Sequence, residues 1–129
     1  ATTEIYTLPL HDALPISPVA GRIADVVYRP GKFYAAFRHA ASRENEQNII
    51  YIHSPQGTVV FKQIAGAIAR RVICWKREGE TVALGERAGL IRFGSRVDVW
   101  LPLDSQVVVK RGQKVKGGES ILAKWNSTN

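Results

Sequence analysis

The chain has 129 residues, of which 45% are hydrophobic and 22% charged, a balance that fits one globular domain and excludes a disordered chain. Nowhere are 18 consecutive residues apolar, so no segment reads as a bilayer-spanning helix, and the single cysteine, Cys74, excludes an internal disulfide framework. The formal net charge of +7 points to an anionic partner. The chain shows no zinc-finger spacing, no stacking-aromatic pattern and no recognition helix, so nucleic acid is not the expected one.

In chain order, the first stretch is ATTEIYTLPLHDALPI (1–16). It reads as the translation of a common sequencing adapter, TTEIYTLSLHDALPI, with Pro9 in place of serine. Residues 1–16 are therefore expected to be foreign, with the natural sequence upstream of Ser17 replaced. Removing those 16 residues from the 129 leaves 113, and Glu4 and Asp12 go with them. Eighteen basic and nine acidic side chains remain, a net charge of +9.

From Ser17 onward, short apolar runs alternate with turn residues. Strands are expected over 19–28, 48–54, 58–66 and 69–75, then on either side of Gly94-Ser95 in LIRF (90–93) and RVDVWLP (96–102), and lastly over 106–110 and 120–125. Ser54-Pro55-Gln56-Gly57 reads as a β-turn. Phe33, Phe37 and Ala40 fall at helical spacing within 31–48, so that region is a helix or an ordered loop, and one short helix near 32–46 is expected. The fold class is mainly β, sandwich- or barrel-like.

A repeat supports that class. Gly79 to Glu86 and Gly112 to Glu119 share G-[EQ]-x-V-x-x-G-E at an offset of 33. Its glycines suit turns that need positive φ, and its valine suits an inward position. The pattern resembles the hairpin signature of lipoyl- and biotinyl-like hybrid barrels. No tripeptide of the kind that carries their cofactor on a lysine is present, so the repeat is read as architecture.

Gly94-Ser95 is out of place in an otherwise strand-like stretch, since a mid-strand glycine weakens pairing or marks a bulge. GERAGLIRFGSRVDVWLP (85–102) resembles the processing-site segment of the short bacterial phosphatidylserine decarboxylases. YRPGKF (28–33), RENEQN (43–48), QIAGAIARRVICW (63–75) and VKRGQKVKGGESILA (109–123) resemble the same family in the same order, so the likeness runs over residues 18–125.

The resemblance implies that residues 17–129 are a truncated decarboxylase domain in which Ser95 attacks the Gly94 carbonyl. The chain would divide into a β chain ending at Gly94 and an α chain whose first residue, from Ser95, becomes a pyruvoyl group. That group is the only cofactor implied. It would hold phosphatidylserine as a Schiff base, and loss of carbon dioxide would give phosphatidylethanolamine. Family members also carry an Asp in an SPADG-like motif and a His in a DVHVNR-like motif, upstream of where the likeness begins here. His11 and Asp12 lie in the adapter-like piece at the wrong offset. The chain is therefore expected to be an uncleaved, inactive fragment.

Further candidates are weaker. Arg70 or Arg71 suits a lipid phosphate or carboxylate, against a plain solvated surface role. Asn45, Glu46 and Asn48 match a family run near the substrate region. Arg96 and Asp98, two apart on a strand, share a face and suit a structural or positioning pair. His39 and His53 read as ordinary, and Cys74 as a buried, inert thiol. No metal site is expected. The expected partners are phosphatidylserine, the anionic membrane surface and the sister chain of the same precursor, with self-association left open. The expected location is the cytoplasmic face of the cell membrane, held peripherally. The alternatives are a non-catalytic lipoyl-like barrel that binds a partner, and a decarboxylase of an archaeal-type serine phospholipid.

Overall fold

A computed structural model of the chain describes residues 2–9, 17–68, 72–91, 95–113 and 121–125. In chain order its elements are β1 (Thr2–Pro9), β2 (Gly21–Arg29), α1 (Ala41–Glu44), β3 (Gln47–Ser54), β4 (Gly57–Ile64), β5 (Val72–Cys74), β6 (Thr81–Val82), β7 (Gly89–Ile91), β8 (Arg96–Pro102), β9 (Ser105–Val107) and β10 (Ala123–Trp125). Six strands form an antiparallel sheet in the order β1-β8-β4-β3-β2-β6, and β5–β7 and β9–β10 form two short antiparallel ladders. The large sheet does not close into a barrel among the described residues.

Alternation decides which face is buried. Val59 and Phe61 on β4, Ile50 and Ile52 on β3, and Val97, Val99 and Leu101 on β8 form one apolar cluster. They occupy alternate positions and meet across the ladders as Ile50↔Phe61↔Val99 and Ile52↔Val59. Burying each such side chain stabilises the fold by about 1.5–3 kcal/mol. Val72, Ala88, Val107, Ala123 and Trp125 pack on the same cluster, so the short ladders form a partial second layer. That is the sandwich-like half of the expected fold.

The 31–48 region contains the one short helix expected near 32–46, set in an ordered loop. Only Ala41–Glu44 is helical. Lys32 N–H donates to Glu44 O at 2.8 Å, and Glu46 N–H donates to Lys32 O at 3.0 Å, which places Lys32 beside Asn45. A continuous helix would hold those two residues about 20 Å apart. Gly31 permits the closure, because a Cβ there would lie 2.3 Å from Glu44 O.

The repeat is a repeated turn. In Arg77–Glu80, Ala83–Glu86 and Lys110–Gln113 the fourth residue's N–H donates to the first residue's carbonyl, at 3.1, 3.0 and 3.0 Å. Its side-chain Oε1 accepts from the first residue's N–H, at 2.7, 3.0 and 3.0 Å. The third residue is glycine each time, with φ of +89° at Gly79, +78° at Gly85 and +84° at Gly112. The Glu or Gln of the motif thus caps its own turn, and Val82 packs inward at 4% exposure. Residues 114–120 of the second copy lie outside the described residues.

Of the run 69–75, residues 69–71 lie outside the described residues and Val72–Cys74 is a strand; the run 106–110 gives Ser105–Val107, and the described part of 120–125 gives Ala123–Trp125. The Ser54–Gly57 turn is present, with Ser54 Oγ donating to Gly57 O at 2.7 Å.

Candidate active site at the head of strand β8

Four strands share one end. Arg29, Gln47, Ile64 and Arg96 form a single row across β2, β3, β4 and β8. Ser95 stands immediately beyond that row and is buried, at 3% exposure. Its position has the parity of Val97 and Val99, the core side of the sheet. Gly94, Arg70 and Arg71 lie outside the described residues.

The other face of β8 carries charge at this end. Arg96 and Asp98 form a forked pair, Nε to Oδ1 at 2.6 Å and Nη2 to Oδ2 at 3.1 Å. Asp98 is wholly buried, and Ser42 Oγ donates to its Oδ2 at 2.7 Å. Arg96 Nη1 donates to Ala36 O and Arg38 O, both at 3.2 Å. One guanidinium therefore ties the first residue of β8 to Asp98 and to the 36–38 loop. A planar fork with several fixed donors suits this task better than an ammonium.

Lys62 lies opposite Asp98 on β4. Its Nζ donates to Ser42 O at 3.1 Å and sits 4.8 Å from the centre of the Trp100 ring. Burial pushes the Lys62 ammonium below the ordinary lysine range; Asp98 opposes that shift, and Arg29 and Arg96 add to it.

On the core side, a polar row neighbours the serine. Asn48 Nδ2 donates to Gln63 Oε1 at 3.1 Å, and Gln63 Nε2 donates to Ile73 O at 3.2 Å. Gln63 is paired with Val97, two residues after Ser95. This chain of amides links β3, β4 and β5 next to the head of β8.

The family-like run at 43–48 folds onto the run at 28–33. Asn45 Nδ2 donates to Tyr34 O at 2.8 Å and Ala65 O at 2.7 Å, while its Oδ1 accepts from Tyr34 N–H at 2.9 Å. Glu46 Oε1 accepts from the Tyr28 hydroxyl at 2.5 Å, and this bond raises the phenol above its usual range. Asn45, Glu46 and Asn48 thus all bond within the chain, and they shape the end of the sheet that holds Ser95.

Three residues of this cluster escaped the sequence reading: Ser42, Lys62 and Gln63. Gln63 left a signal, since it follows Val59 and Phe61 at inward-facing positions of one strand. Lys62 and Ser42 left none, because their roles depend on strands and loops distant in sequence.

The remaining candidates sit apart from chemistry. His53 is exposed near the far hairpin, its Nδ1 3.0 Å from Thr58 Oγ1. His39 is exposed. Burial pushes the Cys74 thiol up, away from a reactive thiolate. Among the described residues no three His, Cys, Asp or Glu gather as a metal site, and no helix is long and apolar enough to cross a membrane.

Fold and site together define an antiparallel β protein in which a buried serine heads a central strand, fixed by an arginine–aspartate fork. Residues 3–123 match the phosphatidylserine decarboxylase family, and the chain belongs to that family. It is similar to a phosphatidylserine decarboxylase proenzyme of Azorhizobium caulinodans, with 51% identity over 111 residues. The aligned part is 86% of this chain and 48% of that protein, so the chain spans about half the length of the relative. No solved structure matches.

Proposed function

We propose that this chain carries the self-processing site of a phosphatidylserine decarboxylase, and that Gly94–Ser95 is the bond it breaks. The observation that carries the reading is Ser95, buried at the head of β8, where Arg96 and Asp98 fix the strand immediately behind it.

The Ser95 hydroxyl attacks the Gly94 carbonyl carbon. The amide C–N bond breaks, an ester forms, and the Ser95 nitrogen becomes an amine. Loss of the Ser95 Cα proton then expels the Gly94 carboxylate and leaves a dehydroalanine. Addition of water and departure of ammonia leave a pyruvoyl group at position 95. Glycine favours the first step, since no side chain hinders the carbonyl. The pyruvoyl group supplies an electrophilic ketone and an electron sink for decarboxylation of an amine-bearing lipid.

The chain fits such a group. β8 pairs with β4 along Val60–Ile64, so a cut before it leaves the new terminus anchored in the sheet. Ser42, Arg96 and Asp98 then hold that terminus in place, and burial at position 95 keeps bulk water from it. The basic balance suits a phosphatidylserine phosphate at an anionic membrane surface, with Arg70 or Arg71 assigned to that phosphate or to the carboxylate. The protein would act peripherally at the cytoplasmic face of the cell membrane.

Residues 1–16 are read as foreign on their adapter-like sequence, although the family match begins at residue 3, and the chain as uncleaved without its natural upstream sequence. The test is mass spectrometry of a chain with that sequence restored. Division after Gly94 is expected, with a second chain lighter by one ammonia than one beginning in free serine. Ser95→Ala stays whole. A restored chain that remains intact and releases no carbon dioxide from phosphatidylserine overturns the reading in favour of a binding module. Efficient self-cleavage of the 129-residue chain overturns the claim that it is inactive.

A further inference from the structure

Two of the most exposed apolar side chains flank the Ser95 end of the sheet. Phe37 is 87% exposed and Ile68 81% exposed. Single exposed apolar residues are ordinary on a protein surface. These two differ in how they are held and in what surrounds them.

Phe37 is presented by a built turn. Arg38 N–H donates to Ala35 O at 3.0 Å, which closes a turn with Phe37 at its tip. Arg96 grips the carbonyls on either side of Phe37, those of Ala36 and Arg38. Ile68 follows β4 on the loop whose Ala65 carbonyl is held by Asn45, and Asn45 also holds Tyr34 at the foot of the Phe37 loop. Both loops thus leave the same end of the sheet, beyond the Arg29–Gln47–Ile64–Arg96 row.

Cations outnumber acids at that end: Lys32, Arg38 and Arg43 stand against Glu44, whose Oε1 lies 3.5 Å from Lys32 Nζ, and Glu46, which binds Tyr28. Lys32 and Arg38 flank the Tyr34 ring, at 5.3 and 4.6 Å from its centre, and Arg43 is exposed on α1. The other end gives the contrast. Leu103 is 58% exposed there, but it precedes Asp104 in a turn after β8, and Leu84 lies two residues from Glu86. Apolar tips ringed by cations are the chemistry of a surface that enters an anionic bilayer interface.

We propose that the Ser95 end of the sheet docks on an anionic lipid surface, with Phe37 and Ile68 entering the headgroup–acyl boundary and Lys32, Arg38 and Arg43 meeting lipid phosphates. This rests on the lipid-substrate reading above and adds which face meets the membrane. Docking by this end brings Ser95 to the lipid, so the substrate need not leave the bilayer to cross water. Arg96 joins the two functions, since it braces both β8 and the Phe37 turn.

The test is co-sedimentation of the 129-residue chain with phosphatidylcholine vesicles, with and without phosphatidylserine. Binding is expected only with phosphatidylserine, and added salt weakens it. Phe37→Ser with Ile68→Ser is expected to weaken binding about tenfold or more, with an unchanged melting temperature since both side chains are exposed. Leu103→Ser is expected to bind as the parent does. Equal loss from Leu103→Ser, no loss from the Phe37 and Ile68 pair, or no vesicle binding at all overturns the proposal. So does an oligomer in lipid-free solution that the pair dissolves, because the patch would then serve a second copy. Vesicle binding needs no cleavage, so failure of the restored chain to decarboxylate removes the enzyme reading and leaves this one standing.

Discussion

Ser42 and Asp98 are 56 residues apart, and the Ser42 hydroxyl donates to the Asp98 carboxylate at 2.7 Å. The bond joins the α1 loop to the strand that Ser95 heads. Asp98 is wholly buried and also holds Arg96, so its charge is paired rather than solvated. Asp98→Asn keeps the shape and removes the charge, leaving Arg96 and Lys62 without a counter-ion. The expected cost is about 3 kcal/mol, against about 1 kcal/mol for Ser42→Ala. Urea unfolding of both variants and of their combination checks this, and the effects should fall short of additivity because the two share one network. An Asp98→Asn chain as stable as the parent would show that the fork does not hold the strand.

Asn45 offers a sharper chemical test. Its Nδ2 faces two carbonyl oxygens, those of Tyr34 and Ala65, and the residue is 1% exposed. Asn45→Asp is nearly isosteric but replaces that donor with an acceptor. Two lone-pair clashes and a buried charge follow, so the loss should exceed that of Asn45→Ala and reach about 3 kcal/mol or more. Thermal melts at neutral pH compare the two. If Asn45→Asp is the milder change, the amide is not the clamp between the two loops.

How far this was legible follows from the range of each interaction. Alternation in NIIYIHS, TVVFKQI and RVDVWLP marked β3, β4 and β8, because period-two burial is local. Arg96 and Asp98 were readable as a pair for the same reason. The turn glycines and their Glu or Gln caps also act within four residues. The short helix expected near 32–46 is present as Ala41–Glu44, but its bounds follow from the pairing of Lys32 with Asn45, a contact that helical spacing cannot register. Ser42 and Lys62 reach Asp98 only once the α1 loop, β4 and β8 are assembled. Glu46 and Asn48 were visible as a motif, but their bonds to Tyr28 and Gln63 required the fold.

Lys62 gives the fold an alkaline dependence of definite sign. Burial is the largest cause of its lowered pKa, so the folded state disfavours the charged form. Between the lowered folded value and the ordinary unfolded one, the unfolded chain binds more protons. Stability from this group therefore rises with pH across that window and is lowest below it. Lys32 and Lys76 shift the other way, each raised chiefly by a side-chain hydrogen bond, so the total profile mixes signs. Comparison with Lys62→Met isolates the term. The parent should gain on Lys62→Met as pH rises from neutral into the lysine range, read from denaturant midpoints. A constant or shrinking difference would place Lys62 in a solvated setting.

Gly89 and Gly79 separate two reasons for glycine. A Cβ on Gly89 would lie 1.9 Å from Ile73 O and 2.7 Å from Gln63 Nε2, so it would collide with backbone and break the Gln63–Ile73 bond. A Cβ on Gly79 would meet nothing within 4 Å, and only its φ of +89° opposes a side chain. Gly79→Ala should therefore cost about 1 kcal/mol. Gly89→Ala should cost more than about 3 kcal/mol, since the β5–β7 ladder must shift. Because Gln63 lies next to the head of β8, Gly89→Ala should also slow self-cleavage of a chain with its upstream sequence restored, whereas Gly79→Ala should not. Denaturation midpoints and a gel time course read both effects. Equal stability loss in the two variants would mean that close packing at Gly89 is not what supports the cleavage strand.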